Sequence, residues 1–256
     1  MKTRYSIYSF LLVLCLLYSG YIFAQEETSL PMFEHKIVAG FNLGATAPCP
    51  IPAEVRKIDG LWPMFTPQLG YNITYNYKPN WAVTSGILLD YKGMGVRDKV
   101  KYMYTSVVLD ENDNKMEGYF VGRNETRIKT AYVTIPLYFV YRPNEIWSFK
   151  LGGYASYRFS AEFEGEVWDG YMRVETMDGS KFDIKDKGDA RFNFGDDMRK
   201  FDLGLSVGAE RSINERFGVF GNLSWGLTPV FHSSYRAIDF NMYNIYLALG
   251  MTYKLK

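Results

Sequence analysis

Three observations predict an all-β chain folded as a transmembrane antiparallel up-and-down β-barrel of eight strands. Hydrophobicity alternates with period two along eight segments, and no helical period persists after Gln25. One face of that alternation is bulky, uncharged and aromatic at its ends, while the other is small, polar and rich in glycine. A soluble sandwich or lipocalin needs the reverse, with its apolar face tapered into a core and its outside charged; lipid contact fits the pattern found. The connections, finally, alternate between short and long, which places long extracellular loops on one side and short periplasmic turns on the other. The aromatic content agrees: 21 Tyr, 18 Phe and 5 Trp suit a protein standing in a membrane interface.

The first 24 residues read as a signal peptide, leaving residues 25–256 as the barrel domain. Lys2 and Arg4 make a basic start, an apolar stretch runs from Phe10 to Leu17, and Ala24 is a small residue before the cut at Gln25. A membrane anchor would need about 20 apolar residues, more than this stretch supplies. Cys15 follows Leu14, which is too large for a lipobox, and cleavage leaves Cys49 as the sole cysteine, so no internal disulfide forms. Export without disulfides points to a Gram-negative envelope and localisation in the cell outer membrane.

The eight segments fall near 36–44, 66–77, 81–92, 130–142, 146–160, 201–212, 216–228 and 242–255. Their apolar face is typified by Trp81, Val83, Ile87, Leu89 and Tyr91 on the third and by Phe201, Leu203, Leu205 and Val207 on the sixth. The inward face carries the strand charges: Asp90, Arg142, Lys150, Arg158, Asp202, Glu210 and Lys254. A charge in lipid is costly, so these are expected in the lumen, in a structural role. Short turns at 78–80, 143–145 and 213–215 are followed by Trp81, Trp147 and Phe217, which with Trp225 are the expected interface aromatics. Long connections are expected near 45–65, 93–129, 161–200 and 229–241. Val107 to Leu109 and Tyr119 to Val121 are places where hairpins would extend the wall, since structureless loops of that length are uncommon.

Consecutive antiparallel strands share a constant sum of residue numbers at opposed positions. Lys150 with Glu210 and Arg158 with Asp202 both sum to 360, so one register satisfies both pairs and sets Tyr154 across from Ser206. Tyr132, Tyr138, Tyr154, Phe220 and Tyr246 also point inward, so the lumen is expected to be plugged. In the alternative, each charge finds water in a wet lumen.

Certain strand motifs match a known group. Tyr132-Val133-Thr134-Ile135-Pro136-Leu137 resembles the "YLxIPL" strand of PorT-like outer-membrane β-barrel proteins, abundant in Bacteroidetes-type Gram-negative bacteria. Gly86 to Met94, containing Lys92-Gly93, is similar to that family's strand ending in "KG"; Ala39 to Leu43 and Asp202 to Ala209 match its style. The resemblance covers most strands of the mature chain and none of the long loops. It implies the barrel fold and no catalytic residues; one member group serves protein secretion across the outer membrane. Pro136 removes a ladder donor in mid-strand, which requires a bulge or a local break in pairing.

Formal net charge of +1, without a basic run interleaved with aromatics, excludes nucleic acid as an expected partner. The expected partners are outer-membrane lipid and lipopolysaccharide, with an envelope or secretion protein as a further one. No P-loop, dinucleotide fingerprint or Cys/His cluster is present, so no cofactor, metal or catalytic residue is assigned. His35 precedes the first strand on the periplasmic side. His232-Ser233-Ser234 has the His-x-Ser spacing of a lipid A deacylase, with Asp239 as the near carboxylate, but the surrounding deacylase pattern is missing. Glu162, Glu164, Glu166, Asp169, Asp178, Asp183, Asp186, Asp189, Asp196 and Asp197 suggest hard-cation binding, yet they match no calcium loop and Lys181, Lys185, Lys187 and Arg191 offset them. The function read from sequence is a non-enzymatic barrel whose extracellular loops bind, support or assist secretion. A narrow pore for small solutes is the alternative, and a lipid-modifying hydrolase a distant third.

Overall fold

The computed structural model describes residues 31–109, 114–232, 235, 237–238 and 240–255. The signal segment therefore lies outside the described residues, as do Ser233, Ser234 and Asp239. Eight strands close a ring: β1 (Phe33–Pro48), β3 (Pro67–Lys78), β4 (Trp81–Leu109), β5 (Asn114–Tyr141), β6 (Trp147–Val174), β9 (Phe201–Ser212), β10 (Phe217–Gly226) and β11 (Met242–Lys254). Each pairs antiparallel with its neighbours, and β1 closes on β11 from Lys36↔Lys254 to Pro48↔Met242. Three shorter strands, β2 (Val55–Pro63), β7 (Lys181–Ile184) and β8 (Ala190–Asn193), pair with the long ones outside that ring.

Outward residues such as Ile87, Leu137, Leu151, Leu203 and Leu249 are exposed, and inward ones are buried. Aromatic pairs mark both edges of this apolar belt. At the short-turn end are Phe33–Tyr75, Trp81–Tyr141 and Phe217–Tyr253; at the far end are Phe41–Phe65, Tyr91–Phe159 and Tyr157–Phe201. Trp81 and Phe217 are exposed at the short-turn end with Trp147 half-exposed beside Phe149, whereas Trp225 stands outward at the far end. The pairing of β4 with β5 skips Gly86 and Ile87, which lie opposite Ile135 and Pro136, and Ser85 Oγ donates to the Pro136 carbonyl at 2.8 Å. The proline thus sits at a local break in the ladder.

The long connections are shorter than the sequence suggests. Residues 93–129 are not a loop: β4 and β5 stay paired from Trp81↔Tyr141 to Leu109↔Asn114, interrupted by a bulge at Tyr102 with φ 59°. β6 continues fourteen residues past 160, to Val174, and β2 occupies part of 45–65. The physical reason is an inversion of amphipathicity. Below Lys92 the apolar side chains point out to lipid; above it Met94, Val100, Ile128, Phe163 and Val167 point in, and Arg97, Lys99, Glu162 and Glu164 point out. A stretch whose apolar face changes sides loses its lipid-facing signature and reads as a polar loop.

Candidate functional site

The lumen is built in tiers. At the short-turn end Glu34 receives Arg142 Nη1 at 2.7 Å and Asn76 Nδ2 at 2.8 Å, with Lys254 at 3.8 Å. Above it Glu210 receives Lys150 at 2.5 Å, Lys36 at 2.6 Å and Thr252 Oγ1 at 3.0 Å. Val38, Leu88, Phe220 and Ala248 form an apolar tier over that cluster.

The next tier centres on Lys92. Its ammonium stands 3.8 Å from Asp90 and 3.6 Å from Asp202, and 5.0, 5.0 and 5.8 Å from the ring centres of Tyr132, Tyr154 and Tyr246. Asp90 also accepts from Asn42 Nδ2 at 2.7 Å and Gln68 Nε2 at 2.9 Å; Asp202 accepts from the Tyr154 hydroxyl at 3.1 Å and Asn244 Nδ2 at 2.9 Å. A lone buried ammonium is prohibitive, and here two carboxylates and three ring faces replace its water. The void beside it, bordered by Asn72, Tyr138, Ser206 and Asn222, measures about 30 Å³.

The structure corrects the expected register between β6 and β9. Lys150 lies opposite Gly208, Ser148 opposite Glu210 and Tyr154 opposite Gly204, two residues from the expected alignment. Lys150 still reaches Glu210, as a diagonal neighbour. Arg158 makes no pair with Asp202; it donates to the carbonyls of Met198 at 2.7 Å and Arg199 at 3.1 Å, fixing the segment that leads into β9. Asp202 belongs to Lys92 instead. Asp90, Lys150, Arg158, Asp202 and Glu210 are all buried, Arg142 is largely buried and Lys254 is partly exposed. Sequence reasoning missed Lys92, Glu34 and Lys36 as lumen charges. Parity was the available signal: each lies an even number of residues from an inward neighbour on the same strand.

Beyond the belt, β8 pairs with β6 from Glu164↔Asn193 to Val167↔Ala190 and with β4 at Val108↔Arg191 and Leu109↔Ala190. β4, β5, β6 and β8 thereby close a second, smaller ring filled with apolar side chains. Phe163 is its hub, with ring centres 5.2 Å from Phe231, 6.0 Å from Phe194 and 6.4 Å from Phe192. On the outside of this unit an open cleft of about 510 Å³ is bordered by Glu125, Arg127, Glu164, Glu166, Arg191 and Asn193. Burial alone would raise the Glu125 carboxyl, but hydrogen bonds from Arg97, Lys187 and Arg127 outweigh it and hold the pKa at about 2. The cleft's central carboxylate is therefore charged at every physiological pH.

Asp98 behaves oppositely. Burial pushes its carboxyl up to about 6, only partly offset by the Asn124 hydrogen bond, and Asp59 adds to the rise. A folded-state pKa above the unfolded value means that the folded unit holds this proton more tightly. Stability from this group is thus highest below about pH 4 and falls as pH rises through 6, by roughly 3 kcal/mol. Asp98→Asn is expected to protect the far-end unit from proteolysis at pH 8 relative to the parent, with the difference vanishing near pH 4. An equal difference at both pH values would contradict this origin.

His35 stands apart from any acid–base constellation among the described residues. His35 Nδ1 contacts the Tyr71 hydroxyl at 2.6 Å on the outer face, and His232 lies in a segment whose Ser234 and Asp239 are outside the described residues. Several acidic residues of 162–197 are spent on neighbours, Glu162 on Lys129, Asp169 on Arg123 and Asp183 on Lys181. Among the described residues no metal-competent group of three or more His, Cys, Asp and Glu occurs.

A closed ring with a lipid-facing apolar belt matches what the family comparison returns: the outer membrane protein beta-barrel domain profile covers residues 23–232. The chain belongs to that family. It is an outer-membrane protein, and by the rule of the class its short turns face the periplasm and its far-end unit the outside. No curated protein matches it. Among solved structures it is similar to Ail of Yersinia pestis in complex with the heparin analogue sucrose octasulfate, at 12% identity and TM-score 0.34 over 87% of this chain and 97% of that one. It is also similar to Acinetobacter baumannii CarO2, at 9% identity and TM-score 0.41 over 87% and 99%. A third is the outer membrane protease OmpT of Escherichia coli, at 12% identity and TM-score 0.32 over 88% and 94%. All three are distant.

Proposed function

We propose that this chain, exported by a signal peptide over residues 1–24, is a closed, non-enzymatic barrel of the PorT-like type that holds a folded binding unit above the membrane. Its partner is an envelope or secretion protein engaged at the cleft around Glu125. The inversion of amphipathicity at Lys92 carries this reading. A pore needs polar walls along its whole length, whereas here the inward face turns into an apolar core as soon as the strands leave the belt. Below that core, the Lys92–Asp202 and Lys36–Glu210 ion pairs cross the lumen between strands that are not neighbours. Alternating carboxylates and guanidiniums around the cleft suit a polar protein surface, and partner recognition on a rigid barrel rests with what projects from it.

Planar-bilayer reconstitution of the folded protein is expected to give no stable single-channel steps. Long-lived, uniform openings would mean that water threads these tiers, and the pore reading would replace this one.

A further inference from the structure

The outward face of the far-end unit carries a charge pattern that the folded chain leaves unresolved. Lys57 of β2 is directly opposite Lys99 of β4, and Lys99 is directly opposite Arg123 of β5. Like charges at opposed positions destabilise a sheet. Asp59 takes up Lys57 at 2.6 Å, and Asp169 takes up Arg123 at 3.1 Å, while Lys99 is exposed between them. One row nearer the membrane, Arg97, Arg127 and Lys187 all converge on the single carboxylate of Glu125 and remain 42–49% exposed. Lys129, paired with Glu162, stands nearest the belt. The three cations of the Lys57–Lys99–Arg123 row thus meet two carboxylates, whereas nearer the membrane Glu164 of β6 stands opposite Arg127 and Glu166 opposite Glu125. Glu164 and Glu166 lie next door on β6, opposite Asn193 and Arg191 of β8.

Below this basic field is an apolar foot continuous with the lipid belt. Trp62 covers Gly95, where its indole leaves no room for a Cβ, and Arg97 stands 6.0 Å from the centre of that ring. Phe65 beside it is 82% exposed and meets the belt residue Phe41.

Height selects the ligand. With about 3.3 Å per residue and a tilt near 40°, Lys129 stands about 5 Å above the upper aromatic edge at Tyr91 and Lys99 about 20 Å. A phospholipid headgroup layer reaches only about 5–8 Å. We propose that the outward face of β2, β4 and β5 binds the phosphorylated saccharide headgroup of an outer-leaflet glycolipid, with Lys57, Lys99 and Arg123 as phosphate ligands. Phosphates inserted between these cations relieve their mutual repulsion, and the acyl chains run down the foot of Trp62 and Phe65. This holds whether or not the lumen conducts, because it uses only the outer wall.

The test immobilises the folded full-length protein and measures retention of lipopolysaccharide, of the same lipopolysaccharide after enzymatic dephosphorylation, and of its delipidated phosphorylated oligosaccharide. The intact lipid is expected to bind at least about tenfold more tightly than either derivative. The double variant Lys57→Gln, Lys99→Gln is expected to bind it about tenfold more weakly while resisting urea at least as well as the parent, since a repulsive pair is removed. Lys181→Gln with Lys185→Gln, which removes two cations elsewhere, should leave binding unchanged. Equal retention of the dephosphorylated lipid, or unaltered binding by the Lys57/Lys99 variant, would overturn the site. Equal binding of the delipidated oligosaccharide would overturn the lipid as its source.

Discussion

Lys92→Met is expected to be the most damaging single substitution in the barrel, costing about 3–5 kcal/mol. Methionine preserves the volume of the stem and its contacts with the three tyrosine rings, so packing changes little. What is lost is the charge, and Asp90 and Asp202, at 5% and 4% exposure, are left facing each other across the space the ammonium occupied. Their remaining donors, Asn42 and Gln68 on one side and Tyr154 and Asn244 on the other, are neutral and cannot supply the missing charge. The urea midpoint of the folded protein in vesicles should fall accordingly, and folded barrel should lose its heat-resistant mobility at lower temperature. Adding Asp90→Asn and Asp202→Asn to the same chain should restore most of the loss, because an uncharged, hydrogen-bonded cluster replaces a broken ionic one. An unchanged midpoint for Lys92→Met would show that water enters the tier and screens the two aspartates.

The same tier shows how far the sequence could be read. Eight ring strands follow from alternation alone, because lipid outside and a narrow lumen inside leave no other arrangement for residues such as Leu203 and Ser206. Alternation fixes parity, and parity fixes which charges point inward. It does not fix register, since a shift of two residues keeps every side chain on its face. The choice between sums of 360 and 358 on β6 and β9 was made by a ring rather than by charge. Tyr154 packs against Gly204, where any Cβ would come within 2.5 Å of it, so the glycine must stand opposite the tyrosine. Lys150 is long enough to reach Glu210 from either register, which is why charge matching could not decide.

The far-end unit was hidden for a different reason. Its strands obey the same period of two, but their apolar residues face a core instead of lipid, and the bulges at Lys101/Met103 and Val121/Arg123 break the phase. β7 and β8, at four residues each, are too short to register as periodic at all. The basic row of Lys57, Lys99 and Arg123 was also beyond reach, since it exists only once β2 pairs with β4.

Phe163→Ala should separate the two parts of the molecule. The ring is 4% exposed and contacts Phe192, Phe194 and Phe231, so its removal leaves a cavity worth about 3–5 kcal/mol. That loss falls on a small ring joined at one seam by only two residue pairs, Val108↔Arg191 and Leu109↔Ala190. The barrel beneath it is held by ladders on every edge and by the Lys92 and Glu210 tiers, none of which Phe163 touches. The expected result is sub-global opening: trypsin cleaves rapidly among Arg97, Lys99, Arg123 and Lys187, while a heat-resistant core from the belt survives. Because the cleft around Glu125 is built from β5, β6 and β8, binding of the partner proposed there should vanish with the opening even though the barrel stays folded. Were the whole chain to unfold in one step at lower urea, the tiers would not insulate the barrel from its superstructure. Unchanged proteolysis would place the stability of the outer unit somewhere other than in its aromatic core.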